Sequence, residues 1–239
     1  MTTVLGTIRA LLGGILCLIM AVAALVSLTI DRGTGRAFHA VSRAWAHSVL
    51  FVCGVRVQVR GLEHLDRHQH YVFVSNHASL FDIPCILAGI PAQIRIVYKK
   101  ELEKVPIFGW GLKAGPYIAI ERGNSASAVR SLDLAAERIR RGSSVLLYAE
   151  GTRTRDGKLQ PFKRGAFNLA VKAGIPVAPL TINGSFNIMR KGSVVVHPGS
   201  VTLEVSRPIS VEDAQGKAAE LRLMEQVHAT ISATYKDQS

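Results

Sequence analysis

The chain has 239 residues, which is enough for one compact domain with an accessory segment. Hydrophobic residues make up 48% and charged residues 19%, so the chain is too apolar for intrinsic disorder, and we expect part of it to meet lipid. The net charge of +12 predicts an anionic partner: a phosphate-bearing substrate, a nucleic acid or an anionic membrane. Three cysteines without a C-x-x-C pair argue against a disulfide framework or a structural zinc site.

The N-terminal segment contains an uncharged stretch, residues 10–30, bounded by Arg9 and Asp31. As a helix it would measure about 31 Å, enough to cross a hydrocarbon core of about 30 Å. It is too long for the apolar region of a secretory signal, and no small-residue cleavage site follows it. A membrane-associated helix is favoured by its all-round apolar character, with a buried core helix as the alternative.

A second predicted helix, 37–55, follows a Gly-rich turn and mixes apolar residues at helical spacing with Arg and His. This mixture predicts an amphipathic helix in the membrane interface, with Trp45 at the headgroup level. The two helices predict a membrane-associated hairpin over residues 1–55, with a separate domain over 56–239. The Arg excess after the first helix favours the inner membrane with that domain on its cytoplasmic face.

Downstream of about residue 55, short apolar runs typical of strands alternate with helical stretches. The predicted strands are 55–60, 71–75, 94–98, 117–120, 144–148 and 177–182, followed by a hairpin of 194–197 and 201–206. The predicted helices are 127–140, 165–173 and 211–235. This alternation predicts an α/β fold, a mixed, largely parallel sheet with helices on both faces, whose ligands bind at the carboxyl ends of the strands.

The strand predicted at 71–75 is followed by Asn76 and His77, with Asp82 five residues after the histidine. On a continuous helix this pair would point about 140° apart, so contact requires His77 on a turn and Asp82 in the first helical turn. Ser79 and Asp82 match a capping box with Ser79 as N-cap. Asp82 could then orient the imidazole while its other nitrogen takes a proton from a hydroxyl. Alternatively, Asp82 only caps the helix and His77 is a polar turn residue.

A second polar loop follows the strand predicted at 144–148. It begins with Glu150, Gly151, Thr152 and Arg153 and continues with further basic residues. A guanidinium suits bidentate phosphate binding, glycine permits close approach of the backbone, and Glu150 could orient the arginine or accept from a substrate hydroxyl. The alternative is an ordinary solvated basic loop.

A third strand end, after 117–120, carries Arg122, and Lys104 stands just before an aromatic stretch with Phe108 and Trp110. Ordinary core packing explains the two aromatic residues as well as a direct role does. Because carboxyl ends of parallel strands meet at one edge of a sheet, we expect the three strand ends to converge there.

Four ordered blocks resemble those of the glycerolipid acyltransferases, most closely the bacterial 1-acyl-glycerol-3-phosphate acyltransferases. They are Asn76-His77-x-Ser79-x-x-Asp82, Phe108-Gly109-Trp110 with Ile120-Glu121-Arg122, Glu150-Gly151-Thr152-Arg153 and Val177-Ala178-Pro179-Leu180. The resemblance covers about residues 70–185 and extends to the apolar N-terminal hairpin. Ala149 departs from it, because the family often has proline there, and a looser loop is the expected consequence.

The resemblance implies acyl transfer from a thioester to the free sn-2 hydroxyl of 1-acyl-glycerol 3-phosphate, giving phosphatidic acid without an acyl-enzyme or a metal. The donor would be acyl-CoA or acyl carrier protein, and no cofactor would be bound. The sequence agrees, since it has no Gly-x-Ser-x-Gly motif and Cys85 lies in an apolar helical stretch. The alternatives are another lysolipid acceptor, such as a lyso-ornithine lipid, and a non-catalytic protein that binds anionic lipid.

The resemblance also implies individual roles. His77 would be the general base, and Asp82 would orient it. Arg153 and Arg122 would bind the acceptor phosphate, with Lys104 as a further candidate. The residues that would shape the site are Asn76, Ser79, Glu150, Gly151 and Thr152. An oxyanion hole is expected from backbone N–H groups near Ser79, and nucleic acid is not an expected partner because the basic loops lack interleaved aromatic residues.

Overall fold

The computed structural model describes residues 2–31, 33–121, 125–140, 142–211 and 216–237. Two long helices open the chain, α1 (Thr2–Ser27) and α2 (Arg36–Cys53), and pack against each other as a hairpin. Among the described residues, only α1 is long and apolar enough to cross a membrane, judged by length and composition over Thr3–Ser27. The helix starts earlier than predicted because the segment before residue 10 carries a single charge and continues the apolar surface.

Both ends of α2 are set by local chemistry. The Asp31 carboxylate accepts hydrogen bonds from the N–H groups of Arg36 (3.1 Å) and Phe38 (3.0 Å), which have no partner within the helix itself. At the other end Gly54 adopts a left-handed conformation (φ 68°), which ends α2 at Cys53 and turns the chain into the first strand. The predicted helix 37–55 is therefore correct except at its C-terminus.

Seven strands form one sheet in the described part of the chain. They are β1 (Val55–Arg60), β2 (Val72–Ser75), β3 (Ile94–Lys99), β4 (Ile118–Ile120), β5 (Ser144–Tyr148), β6 (Val177–Asn183) and β7 (Gly199–Val205). Their order is β1-β7-β6-β2-β5-β3-β4, and all neighbours are parallel except β6 and β7. The prediction of a mixed, largely parallel sheet is confirmed.

Helices cover both faces of this sheet. They are α3 (Asp82–Gly89), α4 (Phe108–Ala114), α5 (Ser125–Arg140), α6 (Gly165–Ala173), α7 (Ser185–Ile188) and α8 (Gly216–Thr234). Successive strand residues point to opposite faces, so Phe73 joins a core formed with α2 and α3, whereas Val72 and Val74 join a second core formed with α5, α6 and α8. The carboxyl ends of β2 and β5 meet between these layers and carry the polar residues described below.

The predicted hairpin of 194–197 with 201–206 is wrong. Both edges of β7 are already occupied, by β1 in parallel and by β6 in antiparallel orientation, so a preceding strand has no edge to pair with. Instead, the Val196 N–H donates to the carbonyl of Gly6 in α1, and the His197 N–H donates to the carbonyl of Ile188. This connection ties the start of α1 to the chain that follows β6.

The N-terminal hairpin shares a hydrophobic core with the sheet and α3. Arg43 of α2 donates to the carbonyls of Ile90 (2.8 Å) and Ala88 (3.3 Å) at the end of α3, and buried Arg95 of β3 donates to the carbonyls of Thr34 and Gly35. α2 packs against both α1 and α3, and the indole N–H of half-buried Trp45 is enclosed by protein, while the expected position of that residue at the lipid headgroups stays a prediction.

Candidate active site

His77 and Asp82 form a hydrogen-bonded pair at the end of β2. His77 Nδ1 lies 2.7 Å from Asp82 Oδ2, which confirms the contact predicted from their spacing. The Asp82 side chain is fully buried, whereas that of His77 is 14% exposed. A carboxylate accepts but does not donate, so Nδ1 carries the proton and Nε2 is the ring nitrogen that can accept one.

The turn between the two residues holds the Asp82 carboxylate in place. Its Oδ2 also accepts from the backbone N–H groups of Ala78 (2.8 Å) and Ser79 (2.9 Å). α3 begins at Asp82 with Phe81 in the N-cap position, so the predicted assignment of Ser79 as N-cap is wrong. The Ser79 hydroxyl accepts from the Phe81 N–H (3.3 Å) and donates to the carbonyl of Met189 (2.8 Å).

These bonds bear on the expected oxyanion hole, because they occupy three of the N–H groups near Ser79. The N–H groups of Ala78 and Ser79 both point at Asp82, and that of Phe81 points at the Ser79 hydroxyl. A group committed to a buried carboxylate does not stabilise a developing oxyanion as well. The N–H groups of Ala78 and Ser79 therefore serve the His77 and Asp82 pair, and the Phe81 N–H serves the Ser79 hydroxyl; the identity of the oxyanion hole stays a prediction.

Asn76 joins the end of β2 to β6. Its side-chain amide donates to the carbonyl of Ile182 (3.0 Å) and its side-chain oxygen accepts from the N–H of the same residue (2.8 Å). Asn76 is 1% exposed, so both bonds are buried. This paired contact fixes the backbone immediately before His77 against a central strand.

Glu150 anchors the backbone of His77. One carboxylate oxygen accepts from the His77 N–H (2.6 Å), and the other accepts from the Gln160 N–H (3.2 Å). The Thr154 N–H donates to the His77 carbonyl (2.9 Å), so the loop after β5 holds His77 from both sides. Burial raises the pKa of Glu150 to about 7, although the two N–H donors act in the opposite direction. Glu150 thus supports the catalytic turn instead of orienting Arg153.

The start of the loop after β5 is tightly fixed. The Ala149 N–H donates to the carbonyl of Ser75 (3.0 Å), and its carbonyl accepts from the Lys163 N–H (2.8 Å). A proline at this position lacks the N–H, so the expected loosening by Ala149 is wrong. Gly151 follows at φ 71°, where an added Cβ would lie 3.0 Å from the Lys163 side chain, which explains the need for glycine.

Arg153 lies in the same loop, half-buried, and burial lowers the pKa of its guanidinium while the charge of Asp82 raises it. Lys191, from the chain after β6, donates to the Thr152 hydroxyl (2.9 Å) and to the Arg153 carbonyl (3.1 Å). Among the described residues, none forms a hydrogen bond or ion pair with the Arg153 guanidinium, which leaves its donors available for an anion. Lys104 is exposed at the end of the 3-10 helix after β3.

The predicted convergence of three strand ends holds for β2 and β5, whereas β4 lies at the edge of the sheet and is separated from β5 by β3. Parallel pairing of β2 with β5 brings His77, Asp82 and Glu150 together and sets Arg153 in the adjoining loop. Arg122 lies outside the described residues. The roles of all these side chains in substrate binding and catalysis stay predictions.

Known proteins resemble this chain in sequence and fold. A family model described as an acyltransferase matches residues 56–183. The 1-acyl-sn-glycerol-3-phosphate acyltransferase of Pseudomonas aeruginosa is 33% identical over 184 residues, covering 77% of this chain and 70% of that protein. The chain belongs to the acyltransferase family. A chloroplastic 1-acyl-sn-glycerol-3-phosphate acyltransferase of Brassica napus is 32% identical over 206 residues, covering 81% of this chain.

The acyltransferase likeness extends to the whole fold. The crystal structure of the 1-acyl-sn-glycerophosphate (LPA) acyltransferase PlsC of Thermotoga maritima matches with a TM-score of 0.82 and 26% identity, over 98% of this chain and 94% of that one. The match therefore includes the N-terminal hairpin. Against the plant acyltransferases the chain is shorter, since it spans 48% to 59% of their length.

An apolar cavity lies beside α3, between the hairpin and the sheet. Ile83, the residue after Asp82, lines it, and so do side chains from α1, α2, β3 and α4. The lining includes Cys17, Ala21, Ala24, Phe38, Trp45, Leu87, Tyr98, Phe108, Gly111 and Tyr117. For two aromatic residues, the sequence left core packing and a direct role as alternatives. Phe108 lines the cavity, and Trp110 is exposed.

Two residues of the acyltransferase site escaped the sequence analysis. Tyr148, the last residue of β5, stacks on the His77 imidazole with ring centroids 3.8 Å apart and an interplanar angle of 11°. Tyr148 stands two positions before Glu150, so the sequence placed it next to the motif but did not reveal its contact with His77. Lys191 carries no local signal, because its contact with Arg153 joins residues 38 positions apart.

Proposed function

We propose that this acyltransferase moves an acyl chain from a thioester to the free sn-2 hydroxyl of 1-acyl-glycerol 3-phosphate and so produces phosphatidic acid. The observation that carries the proposal is the 2.7 Å hydrogen bond from His77 Nδ1 to Asp82 Oδ2, at the sheet edge that also carries Arg153. The names of the Pseudomonas and Thermotoga relatives support the lysolipid acceptor. The donor in this proposal is acyl-CoA or acyl carrier protein.

The chemistry centres on two proton transfers at His77. Nε2 takes the proton of the sn-2 hydroxyl as the oxygen attacks the thioester carbonyl carbon, and Asp82 stabilises the imidazolium that forms. The tetrahedral intermediate then loses the thiolate as the C–S bond breaks, and the imidazolium returns its proton to the sulfur. Cys85 takes no part in this scheme, because burial raises the pKa of its thiol and keeps it protonated.

The acceptor phosphate binds to Arg153 in this proposal. Its guanidinium offers a bidentate donor pair with no competing partner among the described residues, and Lys191 holds the backbone of the same loop. Arg122 and Lys104 remain proposed contributors to the phosphate site. Because Arg153 binds the phosphate at one place, its position relative to His77 determines which hydroxyl of the lysolipid reaches Nε2.

The acyl chain of the donor or the acceptor occupies the apolar cavity in this proposal. Ile83, which lines the cavity, follows Asp82 in α3, and the cavity lining is almost wholly apolar. Such a cavity stabilises a methylene chain by about 0.8 kcal/mol per buried CH₂. The hairpin thereby serves the substrate as well as the membrane.

We further propose that the hairpin binds the cytoplasmic face of the inner membrane from one side rather than spanning it. α1 is joined to the remainder of the protein at several levels: through Gly6 to Val196, through Arg9 to Cys53, and through Ala21 to Gly111. A helix held along its length by a globular domain dips into one leaflet. The lysolipid then stays in the bilayer while the thioester arrives from water.

The test is acyl transfer by the detergent-purified protein, supplied with an acyl thioester and lysophosphatidate. We expect phosphatidate to form, His77→Ala to lower kcat by about 10³-fold or more through loss of the base, and Arg153→Ala chiefly to raise KM for lysophosphatidate. Arg155→Ala, an exposed arginine two residues further along, is the matched control. Full activity of His77→Ala contradicts the mechanism, and preference for a phosphate-free acceptor contradicts the substrate.

A further inference from the structure

The contact between Tyr148 and His77 has an unusual geometry. Their rings lie nearly parallel, at 11°, with centroids only 3.8 Å apart. Two neutral aromatic rings avoid this face-to-face arrangement and prefer offset or edge-to-face contacts with centroids roughly 4.5 to 7 Å apart, because their faces carry like partial charge. A cation centred over the face of a tyrosine ring is instead attracted by it.

The geometry therefore suits the protonated imidazole better than the neutral one. A general base gains positive charge as it takes a proton, so in the proposed function the imidazole becomes cationic when Nε2 takes the hydroxyl proton. An interaction that strengthens as this positive charge develops lowers the activation barrier of acyl transfer. An interaction of equal strength in the ground state and the transition state leaves the barrier unchanged.

We propose that Tyr148 is a positioning residue for His77, whose ring holds the imidazole plane and stabilises the imidazolium formed during acyl transfer. The inference rests on the proposed function, since it assumes that His77 is the base. One face of the imidazole is covered by Tyr148, and one edge is bound by Asp82. The substrate hydroxyl must then approach the edge that carries Nε2.

The phenol hydroxyl of Tyr148 is not needed for this role. Its oxygen is buried without a hydrogen-bond partner among the described residues. Burial raises the pKa of Tyr148 well above its ordinary value, so the ring stays a neutral phenol and exchanges no proton with His77. Phenylalanine preserves the stacking ring and removes an unsatisfied group, which makes Tyr148→Phe the matched control for Tyr148→Leu.

The other ionisable groups around the His77 ring come from separate elements. Asp82 belongs to α3, Glu150 and Arg153 belong to the loop after β5, and Tyr235, which follows α8, reaches this loop through its hydroxyl bond to the Gly157 carbonyl. All of them are retained in both Tyr148 variants. A difference between the variants therefore reports the ring itself.

The experiment measures the pKa of His77 directly. The protein is labelled with ¹³Cε1-histidine, and the His77 resonance is assigned with His77→Ala and titrated by NMR in detergent. We expect Tyr148→Phe to match the wild type, and Tyr148→Leu to lower the pKa of His77 by about half a unit to one unit. The acid limb of kcat/KM should move to lower pH by the same amount, and kcat should fall by about threefold to tenfold with KM for lysophosphatidate unchanged.

A second variant separates the charge effect from packing. Replacing Tyr148 with pentafluorophenylalanine keeps a ring of similar shape but reverses its partial charge, so the pKa of His77 should fall at least as far as in Tyr148→Leu. An unchanged pKa of His77 in both variants overturns the inference, as does equal loss in Tyr148→Phe. The titration needs no turnover, so failure of the wild type to acylate lysophosphatidate overturns the proposed function alone.

Discussion

The Glu150 carboxylate is buried and hydrogen-bonded to backbone N–H groups, and this environment shifts its pKa. Both of its carboxylate oxygens accept N–H groups, one of them from the base itself, and the residue is 3% exposed. Burial raises its pKa from an ordinary value of 4.5 to about 7. The folded protein therefore binds the Glu150 proton more tightly than the unfolded chain does.

Glu150→Gln tests the resulting pH dependence. Because its folded pKa is raised, this group favours the folded state fully below about pH 4.5, and that contribution is lost as the pH rises through about 7. The wild-type Tm should accordingly fall between pH 5 and pH 8 by more than the Tm of Glu150→Gln. Thermal unfolding in detergent across this range gives the comparison.

Glu225→Gln is the control, since it removes an exposed carboxylate from α8. An equally steep pH dependence in Glu150→Gln would show that other groups cause it. The glutamine still offers one oxygen to the His77 N–H, but its amide meets the Gln160 N–H with a donor. A lower kcat is therefore expected at every pH.

At the scale of residues, the sequence predicted positions better than partners. The spacing of His77 and Asp82 was sufficient to predict their contact, because the end of a strand followed by the start of a helix allows few arrangements of the two side chains. The capping assignment of Ser79 failed because α3 begins two residues later than the local motif indicates, with Asp82 reaching backwards. Tyr148 and Lys191 act through contacts across the sheet, which no local pattern encodes.

At the scale of elements, the period of apolar residues located the core strands well. Short runs of buried apolar residues such as β2 and β6 are typical of central parallel strands in a layered α/β domain, so their assignment as strands was straightforward. The pairing of β7 was not predictable in this way, because hydrogen bonding to β1 and β6 depends on which edges remain open after the other strands have paired. The same limit applies to α2, because its amphipathic pattern does not reveal that it packs against both α1 and α3.

Gly111 of α4 and Ala21 of α1 face each other in the lining of the apolar cavity. A Cβ added at Gly111 would lie 3.7 Å from the Ala21 carbonyl oxygen and 3.9 Å from its Cβ, which is ordinary contact. Gly111→Leu should therefore fold and fill part of the cavity. If the new side chain excludes two methylene groups of the donor acyl chain from the cavity, the ratio of kcat/KM for a 16-carbon donor to that for a 10-carbon donor should fall about 15-fold.

Gly14→Leu is the matched control for this prediction, because an added Cβ at Gly14 meets no atom within 4 Å. Acyl transfer with a series of donor and acceptor chain lengths measures the preference. An unchanged chain-length profile in Gly111→Leu would mean that this cavity does not hold the acyl chain.

At the scale of the molecule, the outward surface of α1 is apolar and open. The exposed side chains of this surface are Val4, Leu5, Ile8, Leu11, Leu12, Ile15, Leu18, Ile19, Val22 and Val26. Their area is far more than a soluble monomer usually leaves uncovered. Ile15→Asp with Ile19→Asp should reduce binding to vesicles of phosphatidylethanolamine and phosphatidylglycerol at least tenfold, since each charge costs about 2.5 to 3.5 kcal/mol in the bilayer core.

Vesicle flotation checks this prediction, with Gln58→Asp and Gln226→Asp as a control that adds two equal charges to exposed sites on β1 and α8. Activity toward a short-chain, water-soluble lysophosphatidate should persist in the α1 variant, because its mutated side chains face away from the cavity lining. Full flotation of the α1 variant would contradict one-sided membrane binding through this helix.

The parallel pairing of β1 with β7 has a consequence for biosynthesis. β1 follows the hairpin directly, yet its only strand partner in the described chain lies about 150 residues downstream. At a synthesis rate of roughly 5 to 20 residues per second, the hairpin leaves the ribosome about 8 to 30 seconds before this partner does. During that interval the apolar outer surface of α1 is exposed before the sheet can be completed, so the nascent chain needs lipid or a chaperone to cover it.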